Sequence, residues 1–66
     1  MDIDVARTFL EVVKTGSFVG AAANLNLTQT AVSARIRVLE DRLDRPVFVR
    51  NKAGAKLTPA GEQFLR

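Results

Sequence analysis

Residues 28–43, TQTAVSARIRVLEDRL, have one apolar face and one polar face when they are drawn as a helix. At about 100° per residue, the regularly spaced aliphatic side chains fall within roughly 60° of one another. These side chains are Val32, Ile36, Leu39 and Leu43. The opposite side carries small residues, hydroxyl groups and one cation, namely Thr30, Ser33, Ala34 and Arg37. The pattern predicts a helix that packs one face on a core and leaves the other free for a closely fitting, negatively charged partner.

The start of this helix is marked by its residue types. Thr28 is a good N-cap, and Gln29 favours the helix just inside it. Both residues would be exposed, together with unpaired N–H groups and the positive end of the helix dipole. Such a helix start suits phosphate contact and insertion into a groove. We interpret residues 28–43 as a recognition helix.

Two shorter helices are predicted before it. The first runs from about Ile3 to Thr15, with Asp2 as its N-cap and Gly16 as a left-handed stop. Its apolar stripe consists of Val5, Phe9, Val12 and Val13 and is widened by Ala6 and Leu10. Asp4 and Glu11 are interpreted as parts of its solvated face.

The second helix follows at once, from Phe18 to about Leu25, with Ser17 as its N-cap. Asn26 stands where a tight turn between helices needs a left-handed residue. Residues 17–43 therefore give the order cap, short helix, three-residue turn, cap and long helix, which is typical of a helix-turn-helix. We expect the phenylalanines to lie in the core, with Phe18 anchoring the second helix.

A β-hairpin is predicted after the long helix. The helix is expected to end near Asp44 and Arg45, because Pro46 disfavours a helical conformation at the preceding residue. Residues 47–50 alternate as a short strand, residues 51–55 contain the turn, with a glycine at position 54, and residues 56–57 return. We refer to residues 47–57 as the wing.

Thr58 and Pro59 form an N-cap and a first helical position, which predicts the start of a fourth helix. The expected fold is mainly α, a winged helix-turn-helix with a three-helix core, a short hairpin wing and the start of a fourth, linker helix. We expect residues 1–58 to form the domain and residues 59–66 to begin a truncated dimerisation helix.

Composition and charge add a second argument. A chain of 66 residues, 47% hydrophobic and 26% charged, fits one small globular domain. Its net charge of +3 is unevenly spread: residues 1–27 hold two basic and three acidic side chains, whereas residues 28–66 hold eight basic and four acidic ones. This asymmetry favours a polyanionic partner for the second half, and a basic face that is merely solvated is the alternative.

Several function classes find no support in the sequence. The chain has no cysteine and no histidine, which removes disulfides, thiolate metal sites and the commonest general base. The acidic pairs Asp2/Asp4 and Glu40/Asp41 have no second feature that would make them acid and base. We expect no enzymatic activity, no cofactor, no metal, no membrane span and no export, and a cytoplasmic location.

The chain resembles the N-terminal DNA-binding domain of LysR-type transcriptional regulators, which are bacterial winged helix-turn-helix proteins. The resemblance covers the whole chain and depends on many residues in register. They are Phe9, Val12, Val13, Gly16, Ser17, Phe18, Ala21, Ala22, Leu25, Leu27, Thr28, Gln29, Ala31, Val32, Ser33, Ile36, Arg37, Leu39, Glu40, Leu43, Phe48, Arg50, Leu57, Thr58, Ala60 and Gly61. The chain departs from the family's usual residues at Thr30, where proline is common, and at Ala34, where a larger polar residue is common.

The resemblance implies a repressor or activator that binds double-stranded DNA in the bacterial nucleoid. The recognition helix would enter the major groove, and the wing would touch the backbone or the minor groove. Intact members carry a dimerising linker helix and a C-terminal domain that binds a small-molecule effector. The chain therefore looks like an excised domain, mainly monomeric as it stands, from a protein that is a homodimer or higher oligomer.

The candidate DNA-binding residues are Thr28, Gln29, Thr30, Ser33, Ala34, Arg37, Arg50, Lys52 and Lys56. The hydroxyl residues have an alternative role in capping and bonding to the helix backbone. Arg37 could instead pair with Asp41 one turn on, and Gln29 could simply face water. Arg35 lies beside the core stripe and could pack or pair within the protein. The wing cations could serve solubility alone.

Two other function classes stay open on the sequence. In the first, a protein-interaction module, the small-residue second helix and the fourth helix would serve assembly. In the second, a small enzyme, convergent polar groups would line a pocket, which this composition does not favour.

Overall fold

The computed structural model describes residues 3–66, which form four helices and one hairpin. In chain order these elements are α1 (Ile3–Thr15), α2 (Phe18–Leu25), α3 (Gln29–Leu43), β1 (Phe48–Asn51), β2 (Gly54–Leu57) and α4 (Pro59–Leu65). This order confirms the mainly α, winged helix-turn-helix fold. The expected N-cap Asp2 lies outside the described residues.

Hydroxyl side chains begin three of the helices, as predicted. Ser17 Oγ accepts a hydrogen bond from the N–H of Gly20 at 2.8 Å, and Thr28 Oγ1 accepts one from Ala31 at 3.1 Å. Thr58 caps α4 in the same way, with Pro59 following at the first turn. These side chains satisfy N–H groups that have no partner inside the helix, so helix starts are encoded locally.

Left-handed residues end the second and third helices. Asn26 has φ 58°, and its N–H bonds back to carbonyl oxygens of α2. Asp44 has φ 54° and closes α3 through its N–H to the Glu40 carbonyl. The left-handed conformation of Asp44 thus ends α3 two residues before Pro46. The predicted cause of this helix end was the proline.

The core lies where α1, α2 and α3 meet the base of the hairpin. Its buried side chains are Val5, Phe9, Val12, Phe18, Ala21, Ala22, Val32, Ile36, Leu39, Val47 and Phe48, with Phe64 packed partly against them. The Phe9 ring lies 5.3 Å from that of Phe48 and 5.0 Å from that of Phe64, the latter edge-on. Aromatic contacts therefore join α1 to the wing and to α4.

Two predicted core residues are exposed instead. Leu10 is 53% exposed, and Thr8 takes its place in the interior, where its hydroxyl donates to the Asp4 carbonyl at 2.7 Å. A threonine can be buried in a helix when its hydroxyl bonds back to the preceding turn, so the apolar pattern misplaced this edge of the stripe. Leu43 is 37% exposed and lines an open groove beside Phe64 of α4, because α3 runs past the edge of the core.

Glu11 is a further correction, because it does not belong to a merely solvated face. Its Oε1 accepts a hydrogen bond from Asn24 Nδ2 at 2.7 Å and so links α1 to α2. No local sequence pattern predicts this pair, because the two residues are 13 positions apart. The packing of α1 against α2 therefore includes a polar contact as well as the small alanines of α2.

The hairpin is tighter than the sequence indicated. The strands pair antiparallel from Phe48 opposite Leu57 to Asn51 opposite Gly54, which leaves a two-residue turn in place of the predicted longer one. β1 begins at Phe48, one residue after its predicted start, because the backbone N–H and carbonyl of Val47 form hydrogen bonds outside the hairpin. Its N–H donates to Glu40 Oε2 at 2.8 Å, and its carbonyl accepts from the N–H of Thr58 at 3.0 Å.

These bonds attach the wing to the helices. Glu40 of α3 holds the chain just before β1, and Ala55 of β2 donates its N–H to the Gly16 carbonyl at 2.9 Å. Gly54, with φ 133°, allows β2 to run beside the carbonyl of Gly16, where a side chain would collide. The wing and α3 therefore present surfaces in a defined relation to each other.

Candidate nucleic-acid interface

The free face of α3 is where the pattern placed it. Thr30, Ala34 and Arg37 are exposed, Ser33 is half-buried, and together they line a shallow open depression. We call it the α3 depression. Its floor is methyl groups and hydroxyls, and Arg37 supplies the long cationic side chain at its edge. Such a surface can follow the contour of a duplex and donate hydrogen bonds to it.

Thr28 and Gln29 are exposed at the start of α3. The Thr28 hydroxyl accepts the cap hydrogen bond from Ala31, so its capping role is observed. A hydroxyl that accepts one bond still has its own proton to donate, which leaves a contact with phosphate open to it. The helix start combines this hydroxyl, the Gln29 amide and the positive end of the dipole.

The two arginines in the middle of α3 have different roles. Arg37 makes no hydrogen bond or ion pair within residues 3–66, so the alternative pairing with Asp41 is not formed there. Arg35 is half-buried, and its Nη1 donates to Thr8 Oγ1 at 3.4 Å, toward α1. Arg35 therefore takes the intramolecular role that the sequence had left open, whereas Arg37 is available to a partner.

The hairpin divides the wing cations between its two faces. Arg50 pairs in register with Ala55 and shares the face of buried Phe48, whereas Lys56 pairs with Val49 on the opposite, outer face. Lys52 is exposed in the turn between the strands. The structure thus brings Arg50 toward the helices and does not bring Lys56 to the same face.

Arg50 and Arg37 approach the same concavity from two elements. We call it the junction depression, and its lining residues are Phe18, Ser33, Ile36, Arg37, Glu40, Phe48 and Arg50. Its carboxylate, that of Glu40, accepts the N–H of Val47. A single surface therefore runs from the start of α3 to the inner face of the wing and carries two guanidinium groups.

The acidic side chains of α3 lie at its other end. Asp41 and Asp44 are exposed beside Arg45 around another concavity, with Glu40 and Pro46. The end of α3 that carries Thr28 and Gln29 holds no acidic residue in its first turn. This separation favours approach of a polyanion from the N-terminal side of α3.

Two residues important for the site's shape were not identified from the sequence. Glu40 supports the junction between α3 and the wing, and Phe18 lies under the Arg50 guanidinium, 4.2 Å from ring centroid to Cζ. Both residues make contacts between different elements of the fold. The sequence pattern predicted Phe18 only as a core residue. Glu40 lies in α3 and Val47 lies beyond the end of that helix, so no helical or strand period relates the two residues.

Residues 3–66 show neither a metal-binding cluster nor a membrane-spanning helix. Among these residues, no group of three or more histidine, cysteine, aspartate or glutamate side chains is placed to hold a metal ion. No helix in this part of the chain is both long and apolar enough to cross a membrane.

Comparison with known proteins gives consistent matches. The model of the bacterial regulatory helix-turn-helix proteins of the lysR family matches residues 3–62. The HTH-type transcriptional regulator HdfR of Yersinia enterocolitica is 51% identical over 65 residues, which are 98% of this chain and 22% of that protein. The chain thus spans about a fifth of the length of this curated relative. The pattern LTQ, AVS, RIR and LE is also similar to that of the HdfR branch.

Solved structures give the same result at lower sequence identity. The CbnR DBD–DNA complex matches with a TM-score of 0.92 and 29% identity, over 98% of this chain and 75% of that one. Full-length LysG from Corynebacterium glutamicum, with bound effector Arg, matches with a TM-score of 0.88 and 35% identity, over 98% of this chain and 22% of that one. With the helix-turn-helix, the wing and the family model in agreement, the chain belongs to the lysR family of bacterial regulatory helix-turn-helix proteins.

Proposed function

We propose that this domain binds double-stranded DNA sequence-selectively, as the DNA-binding part of a bacterial transcriptional regulator. The observation that carries the proposal is the α3 depression, an exposed, acid-free surface on a capped helix whose Arg37 has no hydrogen-bond or ion-pair partner within residues 3–66. A helix of this kind fits the major groove of B-DNA, which is about 12 Å wide. The similar CbnR domain was solved in complex with DNA, which supports the same role here.

On this proposal, α3 lies in the major groove and reads base edges. Gln29 suits an adenine edge, and Arg37 suits guanine O6 and N7. Thr28, Thr30 and Ser33 contribute hydroxyl contacts to phosphates or bases. Ala34, which stands where the family often has a larger polar residue, offers a methyl contact to thymine.

The wing supplies contacts that do not depend on base sequence. Arg50, Lys52 and Lys56 are exposed cations that suit phosphate oxygens of the backbone or of the minor-groove edge. Because Lys56 lies on the outer face, we place it on a phosphate away from α3. Residues 1–58 make up the DNA-binding domain in this proposal, and residues 59–66 begin a dimerisation helix.

The intact regulator is proposed to work as a dimer or higher oligomer, with an effector bound by a separate C-terminal domain. The LysG structure with bound effector Arg is the support for the effector. Binding to the chromosome places the protein in the bacterial cytoplasm, at the nucleoid. The proposal gives the domain no enzymatic role and no cofactor.

Arg37→Ala and Lys52→Ala together test which element reads sequence. Arg37→Ala should weaken binding to a selected site by about 1 to 3 kcal/mol and binding to random DNA by less, because a base contact is lost. Lys52→Ala should weaken binding to both DNAs about equally, because a phosphate is present in any sequence. The measurement is a fluorescence-anisotropy titration of each variant on both duplexes, after selection of the preferred site from random fragments.

Equal losses from both substitutions on both duplexes would mean that Arg37 does not read bases. If the unaltered domain bound no duplex at all, while helix-mediated self-association or protein capture persisted, the protein-interaction module would replace the present proposal.

The 66-residue chain should be mainly monomeric in dilute solution. Its α4 has 7 residues, about two turns, and a stable coiled-coil seam needs several heptads. Sedimentation velocity measures the state directly. Fusing a dimeric coiled coil after Arg66 should then tighten binding to two half-sites roughly 34 Å apart, because two linked modules bind together. A tight dimer of the unfused chain would place the interface within the domain and contradict this assignment.

A further inference from the structure

Arg50 is stacked on an aromatic ring. Its guanidinium carbon lies 4.2 Å from the centroid of the Phe18 ring. This distance is well within the range at which a cation over a ring face is attracted to the π system. Arg50 itself is exposed, whereas Phe18 is only 6% exposed. A buried ring thus holds the cationic end of a surface side chain.

The Phe18 ring is a rigid support. It directly follows the Ser17 cap of α2, and it meets the Phe48 ring edge-on at a centroid distance of 5.8 Å. The Phe48 ring in turn packs on that of Phe9 in the centre of the core. The ring is therefore fixed by core packing on its buried side, and the Arg50 guanidinium rests on it at a defined place relative to α2 and α3.

The hydrogen-bond donors of Arg50 remain available. A guanidinium directs its N–H groups outward in its own plane, so stacking on one face does not consume them. Within residues 3–66, Arg50 makes no hydrogen bond or ion pair. It lies between the junction depression, shared with Arg37, and a further concavity shared with Ser17 and Lys52. The other wing cations, Lys52 and Lys56, make no hydrogen bond, ion pair or ring contact within the described residues.

We propose that Phe18 is a positioning residue, which orients Arg50 for contact with a single DNA phosphate at the junction of the wing and the helices. This inference rests on the proposed DNA-binding function. It identifies the residue that positions Arg50 for its phosphate contact. A guanidinium that is already held in place loses less conformational freedom on binding, and its planar fork matches two phosphate oxygens. The two lysines lack such support and act as mobile charges.

A double-mutant cycle on DNA affinity tests the proposal. Phe18→Leu keeps an apolar side chain in the core but removes the ring face. It should weaken binding to duplex DNA about two- to fivefold, the range that a cation–π contact at an exposed site implies. In an Arg50→Ala background the same substitution should cause no further loss, because the residue it positions is gone. Equal losses in both backgrounds would show a merely structural role and overturn the proposal.

Two controls isolate the positioning effect. Phe64→Leu removes a ring that packs edge-on against Phe9, outside the residues that line the junction depression, and it should leave the affinity of the folded protein unchanged. Lys52→Ala combined with Phe18→Leu should be additive, because Lys52 does not rest on the ring. Circular dichroism at the titration temperature confirms that each variant is folded.

A measurement on the unaltered chain covers the case in which Phe18→Leu does not fold. Protons on the Arg50 side chain should show an upfield ring-current shift in the NMR spectrum, and that shift should persist when a DNA duplex is added. Ordinary random-coil shifts for these protons would overturn the inference. Failure of the parent function is distinguishable, since it would appear as no duplex binding by the unaltered chain in any of these titrations.

Discussion

Replacing Ile36 by alanine is expected to lower the free energy of unfolding by about 2 to 5 kcal/mol. Ile36 is 2% exposed in the middle of the apolar face of α3, and it also forms part of the wall of the junction depression. Removing its outer carbons leaves a cavity that neighbouring side chains fill only in part. A domain of this size has about 3 to 10 kcal/mol of stability in total, so much of the population would unfold.

Thermal melting followed by circular dichroism measures this loss. Each kcal/mol lowers the melting temperature of so small a domain by about 4 to 8 °C, so a fall of at least about 8 °C is expected. Val38→Ala is the matched control on the same helix, because Val38 is 48% exposed and its truncation should change stability little. An Ile36→Ala variant as stable as the parent would mean that the buried face of α3 is assigned wrongly.

The features that the sequence predicted well are those encoded within a few residues. The caps at Ser17, Thr28 and Thr58 and the left-handed Asn26 each depend on contacts within four positions. The apolar period of α3 also placed Val32, Ile36 and Leu39 correctly in the core. Local hydrogen bonding and helical periodicity are properties of short segments, so they can be inferred before any tertiary contact is known.

The errors occur where a tertiary contact overrides a local preference. Thr8 is buried and Leu10 exposed because the Thr8 hydroxyl has a partner both in its own helix and on α3. The first strand begins at Phe48 because Glu40 and Thr58 already use the backbone of Val47. The contact of Thr8 with α3 and the contacts of Val47 with Glu40 and Thr58 join separate elements, so no residue period could show them.

In the candidate site, too, the features set by local pattern were predicted and those set by tertiary contacts were not. Thr30, Ala34 and Arg37 lie on the exposed face of α3, where the helical period predicted them. The placement of the wing cations could not be predicted, because a shift of one residue in strand register exchanges the two faces. Only the observed pairing shows that Arg50 faces the helices and Lys56 faces outward.

Affinity for duplex DNA is expected to fall steeply as salt is added. Four exposed cations belong to the proposed interface, namely Arg37, Arg50, Lys52 and Lys56. Each cation that neutralises a phosphate releases counterions and contributes about −0.9 to the slope of log affinity against log salt. Of these, Arg50, Lys52 and Lys56 are the cations placed on phosphates, so the slope is about −2.7, and affinity falls about 40-fold between about 50 and 200 mM salt.

Titrations at several salt concentrations, for the domain and two variants, measure this slope. Lys52→Ala should make it shallower by about 0.9, since one phosphate contact is lost. Arg45→Ala is the matched control with the same change in charge, because Arg45 lies beside Asp41 and Asp44 at the acidic end of α3 and should leave the slope unchanged. A slope near zero for the unaltered domain would falsify DNA binding as its main function. If Arg45→Ala and Lys52→Ala changed the slope equally, the net charge of the domain would govern binding. That result would contradict the proposed orientation of α3 and the wing on the duplex.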